Sequence, residues 1–519
     1  MTTETDGAAF LVRYAHAAGI DICFANPGTT ELDLVGALRV EPGIRAVLGL
    51  FEGVCTGAAD GYARVSGRPA LTLLHLGPGL ANGLANLHNA RRAGSPMVNI
   101  IGDHATWHLR FDAPLTSDID TLARPMSGAV VRLDSKATYA VDVERAFKAA
   151  ADRKIVTLVA PTDLMVAPFP APDLQQAAAL ASPSRSPVEA ARVAASRARL
   201  DRGGDIVLLL GGNALTERGV RAAGRVAAAT GARLLMETYP AIASLGGDLP
   251  RLERLAYFPE DIVRQIAGAE VVLAGARPPV SYFGYEGRPS EPVPAESQTL
   301  LATPDEDAVD ALERLAEAVQ GLPHSRPAAS PPPVPAASAN LSPDGIVEEV
   351  LARMPEDAIV SIEGSTLGGP YLRQAHRAPR HRVMTNTGGA IGQGLPCALG
   401  AALAAPGTRV IALQSDGSAQ YTLQALWTMA REKVPVTIVI AANHRYAILQ
   451  TELKRSGIPL DAEVVAGLTR LDQPAVDWVA LATGYGVPAV KAVTPEEFAA
   501  GLQKGLATDG PFLIQAELD

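Results

Sequence analysis

The sequence predicts an α/β protein of three domains, each with parallel sheets flanked by helices, on three observations. Short, nearly continuous apolar runs end in Gly, Asp, Asn or Ser, as "DICFANPG", "RPALTLLHLGPG" and "PVTIVIAANH" do; parallel strands buried on both faces read this way. Amphipathic segments separate the runs, so strand and helix alternate. Two seams rich in Pro, Ala and Ser, Val166–Glu189 and Gly321–Gly345, cut the 519 residues into pieces of ordinary domain size. The expected boundaries are 1–181, 182–325 and 342–519, with 326–341 an extended Pro-rich linker.

In the first piece, strands are expected at "DICFANPG", "IRAVLGL", "RPALTLLHLGPG", "PMVNIIGD" and "KIVTLVAP". Glu52 stands where the second of these runs into a helix of small residues, an unusual place for a carboxyl group. The middle piece offers "DIVLLLGGNA", "ARLLMET" and "EVVLAGA", and the last "DAIVSIEGS", "RVIALQSDGS" and "PVTIVIAANH".

With 48% hydrophobic and 19% charged residues the chain reads as soluble and globular. A formal charge of −10 without a long Lys/Arg run argues against a nucleic-acid partner. Cys23, Cys55 and Cys397 are far apart and lack metal-ligand spacing, as free thiols in a reducing compartment would. "MTTETDGAAF" has no basic region ahead of an apolar one, and no stretch of about 18 uninterrupted apolar residues follows, so no membrane partner and a cytoplasmic location are expected.

The stretch Arg409–Leu449 carries the most chemistry. "RVIAL" and "PVTIVIA" read as strands joined by one amphipathic helix, "SAQYTLQALWTMARE". A right-handed crossover makes such strands parallel, so Asp416 and Asn443, 27 positions apart, end on the same sheet edge. Carboxylate and amide oxygens suit a hard cation such as Mg²⁺. Gly417 and Ser418 open the helix, whose free N–H groups attract an anion, and a metal-bridged diphosphate fits both features. A plain Asp-Gly turn beside an unrelated Asn is the alternative.

Asp-Gly-Ser followed by a helix and a strand-terminal Asn resembles the thiamine diphosphate motif of 2-oxo-acid decarboxylases and acetolactate synthases. "FANPGTTELDLVGAL", "GLFEGVCTGAADGYARVSGRPALTLLHLGPGLANGLANLHNA" and "NTGGAIGQGLPCALGAALA" resemble benzoylformate decarboxylase and its acetolactate-synthase relatives in the same order. The resemblance implies two thiamine-diphosphate-binding domains around a central domain. It implies Mg²⁺ held by Asp416, Asn443 and the Arg445 carbonyl, although Ser415 stands where the family usually has Gly. It further implies Gly389, Ile391, Ser365, Thr366, Gly417, Ser418, Tyr446, Ala447 and Ile448 against the cofactor, with Ile391 holding its bent conformation.

By the same resemblance Glu52 exchanges a proton with N1′ of the cofactor's aminopyrimidine, promoting a C2 carbanion that attacks the oxo acid and yields an enamine as CO₂ departs. The structural alternative for Glu52 is a capping or surface carboxylate. His75 matches an active-site His that assists proton transfers, or is a core or interface His. Thr29 occupies the place of a Ser that binds substrate carboxylate, or is an N-cap. His104 and His108 receive no assignment.

Two departures bear on substrate. Phe283 stands where benzoylformate decarboxylase has a second active-site His. Glu452 lies one helical turn from Ile448 and would disfavour an acidic substrate unless a cation neutralises it. Simple decarboxylation and carboligation, with a proton or a second oxo acid or aldehyde as acceptor, share every residue named. A 2-hydroxyacyl lyase and a catalytically silent cofactor-binding homologue are the other readings. A dinucleotide dehydrogenase is disfavoured, because Asn82 replaces the third Gly of the fingerprint begun by Gly77 and Gly79. The resemblance leaves room for FAD in the middle piece without requiring it, and implies a homodimer at minimum, with a homotetramer expected and the site at a subunit interface.

Overall fold

Each apolar run quoted above forms a strand in the computed structural model, which describes residues 4–181, 185–322 and 340–518. The expected linker's residues 326–339 lie outside the described residues. The chain folds as two compact units: Met1–Pro183 with Ser361–Ser365 and Asn386–Asp519, and Ser184–Val360 with Thr366–Thr385.

In the first unit, a six-stranded sheet runs in the order Arg45–Leu48, Ile22–Asn26, Ala70–His75, Met97–Asp103, Ile155–Pro161, Ala129–Arg132. All its neighbours are parallel. The last strand was not expected from the sequence. Only Val131 of its four residues is buried, so it lacks the continuous apolar run of a central strand. A second set of parallel strands follows the order Val410–Ser415, Val436–Ala442, Phe512–Glu517, Ala489–Ala492. Ser415 pairs with Ala441, so Asp416 and Asn443 leave from one edge.

Two helices of small residues bring these layers together. Helix Glu52–Ser66 packs on helix Gly394–Ala404 so closely that a Cβ at Gly400 would sit 1.9 Å from the Ala58 carbonyl oxygen. Glycine is what allows that approach. Between them Asp60, fully buried, accepts from Arg64 Nη2 at 2.6 Å, Ser95 Oγ at 2.5 Å and Gln393 Nε2 at 2.8 Å. A buried charge is tolerable when so completely partnered.

Within the first seam Pro168–Pro170 pairs antiparallel with Glu4–Asp6, Phe169 stacks on Tyr139 with ring centroids 4.1 Å apart, and Leu174–Ala178 is helical. One expectation needs correction. The single helix after Asp416 is three pieces: Asp416–Ala419, a 3₁₀ turn Gln420–Thr422, and Ala425–Glu432. Tertiary hydrogen bonding competes with the helical pattern here, since Thr422 Oγ1 donates to the Gly392 carbonyl at 2.8 Å.

The second unit carries a five-stranded parallel sheet in the order Glu253–Arg254, Arg233–Met236, Ile206–Leu210, Glu270–Ala274, Gln298–Ala302. Ala243–Leu245 pairs antiparallel with His381–Thr385.

Candidate active site

The first unit gathers most of the expected residues at the carboxyl ends of its strands, where open α/β sheets hold ligands. Glu52 is the first residue of helix Glu52–Ser66 and remains partly exposed. Its Oε2 accepts from Asn82 Nδ2 at 3.0 Å. A Cβ at Gly79 would come within 3.1 Å of Glu52 Oε1 and 3.5 Å of His75 Cβ, so this glycine keeps open a space that both residues border. Burial around Glu52 is thus lighter than the apolar sequence suggests.

His75 ends its strand, and the fully buried Leu76 after it has φ 51°, a left-handed conformation disfavoured for a branched side chain. Such strain persists where surrounding structure enforces it. His75 Nδ1 lies 2.9 Å from Glu31 Oε2 and 3.2 Å from Thr30 Oγ1. Glu31 was not singled out in the sequence, yet its surface is fully buried. Thr29 opens the 3₁₀ turn Thr29–Glu31 and is exposed, while the capping position belongs to Gly28, whose N–H donates to Glu31 Oε2 at 2.7 Å. The N-cap alternative for Thr29 is therefore corrected.

At the second edge Asp416 is 4% exposed. Burial raises its carboxyl pKa, opposed by N–H groups of His444 at 2.6 Å and Gly417 at 2.9 Å. No Lys or Arg pairs with it among the described residues. His444 has φ 52°, reversing the chain after Asn443. Asn443 Oδ1 accepts from the Arg445 N–H at 3.2 Å, and the Arg445 carbonyl accepts from the Ala447 N–H at 3.0 Å. A buried carboxylate without a cationic side chain, beside an amide and a carbonyl oxygen, is a donor set that fits Mg²⁺.

Gly417 cannot be larger without disturbance: a Cβ there would meet the Tyr446 ring at 2.6 Å. Ser415, the departure from the family pattern, is accommodated by Gly364 (φ 98°), where a Cβ would lie 2.0 Å from Ser415 Oγ. Ser418 Oγ donates to the Ser415 carbonyl at 3.1 Å. Only one turn of α-helix follows Asp416, so helix dipole is a smaller part of any anion attraction than the sequence suggested.

Ser365 and Thr366 open helix Ser365–Gln374. Just before them, fully enclosed Glu363 gathers the N–H groups of Gly392 (2.8 Å), Gln393 (3.0 Å) and Gly394 (2.9 Å), with Asn386 Nδ2 at 3.2 Å. Burial pushes its pKa up and these donors pull it back, leaving it raised. Glu363 thereby fixes the loop bearing Gly389, which is exposed, and Ile391, which is partly so. The same loop is laced to helix Leu76–Ala93 by Asn86 Nδ2 to the Gly392 carbonyl (3.2 Å) and Asn89 Nδ2 to the Ala390 carbonyl (2.7 Å). Asn86 also donates to the Gly53 carbonyl at 2.8 Å, next to Glu52.

Tyr446 precedes helix Ala447–Arg455, and Ile448 is exposed. On that helix Arg455 Nε lies 3.7 Å from Glu452 Oε2, a cation beside the acid. Phe283, in the second unit, is 53% exposed and packs on Tyr282 with centroids 5.1 Å apart. His104 and His108 face each other at 5.5 Å. Cys23, Cys55 and Cys397 are free and buried. Among the described residues no helix is long and apolar enough to cross a membrane.

Residues 5–123 match the thiamine pyrophosphate enzyme N-terminal TPP binding domain, and residues 368–516 match the C-terminal TPP binding domain. The chain is 46% identical over 515 residues to a Mycobacterium tuberculosis (strain ATCC 25618 / H37Rv) protein provisionally named acetolactate synthase large subunit IlvX, covering 98% of each. It is 32% identical over 528 residues to the benzoylformate decarboxylase of Pseudomonas aeruginosa, covering 96% of each. The solved structure of the Rhodococcus jostii RHA1 thiamine diphosphate-dependent 4-hydroxybenzoylformate decarboxylase matches with a TM-score of 0.84 at 25% identity, covering 99% of each chain.

Proposed function

The chain belongs to the thiamine pyrophosphate enzyme family, and from that premise we propose that it uses thiamine diphosphate and Mg²⁺ to cleave the bond between the carboxylate and carbonyl carbons of a 2-oxo acid. The observation that carries the reading is the placing of Glu52 and His75 beside one glycine, Gly79, whose Cβ would lie 3.1 Å from Glu52 Oε1 and 3.5 Å from His75 Cβ.

Thiamine diphosphate, when bound, would supply the nucleophilic carbon and the electron sink that cleavage of this bond requires. Glu52 holds and returns a proton at N1′ of the pyrimidine. Asp416, Asn443 and the Arg445 carbonyl would hold Mg²⁺, while Gly417, Ser418, Ser365 and Thr366 would receive the diphosphate. The Gly389 carbonyl would accept from the pyrimidine amino group, and Ile391, with Tyr446, Ala447 and Ile448, would confine the rings. Thr29 and His75 face the substrate, His75 moving protons on it. Arg455 beside Glu452 relieves the repulsion that this acid would exert on an oxo acid.

Carboligation, as in acetolactate synthesis or a 2-hydroxyacyl lyase reaction, is a second reading, favoured by the name of the 46% identical relative. Neither reading calls on a flavin. The enzyme is proposed as cytoplasmic and as a homodimer or homotetramer whose site joins two subunits.

The test is CO₂ release from a panel of 2-oxo acids, with and without thiamine diphosphate and Mg²⁺, followed by product analysis after adding aldehydes. Release that depends on the cofactor supports the reading, and products longer than the substrate shift it to carboligation. Well-folded protein that takes up the cofactor but releases no CO₂ from any acid overturns it in favour of a silent homologue.

A further inference from the structure

We propose that Glu31 is a positioning residue for His75: by accepting the hydrogen bond of Nδ1–H it leaves Nε2 as the imidazole's proton acceptor. The catalytic consequence rests on the reading of His75 above, whereas the tautomer itself does not.

Hydrogen-bond directions around Glu31 leave little choice. Its Oε2 receives the Gly28 N–H at 2.7 Å, and its Oε1 receives the Thr30 hydroxyl at 2.7 Å. Because Thr30 spends its proton on Glu31, its oxygen can only accept at His75 Nδ1, 3.2 Å away. Glu31 Oε2, 2.9 Å from the same nitrogen, is likewise an acceptor when ionised. Both partners of Nδ1 are thus acceptors, so Nδ1 carries the proton. Nε2 takes no hydrogen bond among the described residues, and the His75 side chain is 23% exposed.

The pocket is built around this arrangement. Glu31 is fully buried, which an unpaired carboxylate would not sustain. A Cβ at Gly28 would lie 2.1 Å from His75 Nδ1, and one at Gly102 would lie 1.9 Å from Glu31 Oε1. Glycines on two separate segments therefore make room for the ring and the carboxylate. On the adjacent strand Gly102 pairs with His75, and the next residue, Asp103, is held by Arg132 at 2.7 Å. A carboxylate that fixes the tautomer and orientation of a general base acts in this way in Ser-His-Asp hydrolases.

The test is ¹⁵N NMR of the cofactor-loaded enzyme labelled at its nine histidines, with His75→Gln giving the assignment. In its neutral form His75 is expected to show protonated Nδ1 and bare Nε2, and Glu31→Gln to move population toward Nε2–H. For CO₂ release, Glu31→Gln should lower kcat roughly tenfold or more with little change in KM, and by no more than the roughly 10²–10⁴ that the positioned acid–base group itself contributes. In a His75→Gln background the same change should do nothing further. A wild-type spectrum showing Nε2–H, or a Glu31→Gln effect undiminished without His75, overturns the proposal. If Glu31→Gln does not fold, the wild-type spectrum still decides. An enzyme that releases no CO₂ but shows Nδ1–H refutes the function and keeps the pair; the converse result keeps the function and refutes the pair.

Discussion

At the edge of the six-stranded sheet, working side chains are held by other side chains; at the edge of the second sheet they are held by backbone. Glu31 and Thr30 orient His75, and Asn82 meets Glu52. By contrast Asp416 is fixed by the N–H groups of Gly417 and His444, and Glu363 by those of Gly392, Gln393 and Gly394. Each edge also carries one non-glycine residue at positive φ directly after a key residue, Leu76 after His75 and His444 after Asn443. On the proposed function, the difference suits two tasks. Proton transfer needs groups whose charge can change in place, whereas holding a metal and a diphosphate needs oxygens and N–H groups that do not move.

Four substitutions put this contrast to the test. The largest effect is expected for Glu52→Gln, which should cut CO₂ release roughly a thousandfold, about 4 kcal/mol, while cofactor uptake persists. Normal turnover would remove Glu52 from the chemistry. Next is Glu363→Ala, which strands buried N–H donors at about 1–3 kcal/mol each. Denaturant unfolding should show a loss of at least about 3 kcal/mol, and an unchanged midpoint would mean that the loop is held by other contacts.

Gly417→Ala drives a Cβ to 2.6 Å from the Tyr446 ring and 3.1 Å from Leu471. It should cost about 1–3 kcal/mol in stability and weaken cofactor uptake. Uptake equal to wild type would show that Tyr446 can swing aside freely. The smallest effect is expected for Ser415→Gly, the change to the usual family residue. Gly364 already makes room for the hydroxyl, so stability and cofactor affinity should each shift by less than about 1 kcal/mol.

The same contrast explains what could be read from the sequence. Buried parallel strands announce themselves as apolar runs, so the sheets and the strand-end positions of His75, Asp416 and Asn443 were legible. Ala129–Arg132 was not, because an edge strand need not be apolar throughout. Glu31 carried one usable signal, Gly28-x-x-Glu31, which is half of a capping box. Nothing local announced Glu363, whose backbone donors lie 29 to 31 positions further along the chain. The break after Ala419 was hidden likewise, since the carbonyl that Thr422 reaches is 30 residues away.

The central claim, that the second edge anchors the cofactor and the first edge works on it, is tested most directly by calorimetric titration of thiamine diphosphate with Mg²⁺. Wild type and Glu52→Gln should both take it up, and Asp416→Ala should show no detectable uptake. Absence of binding to folded wild type, or binding to Asp416→Ala as tight as to wild type, would contradict the account.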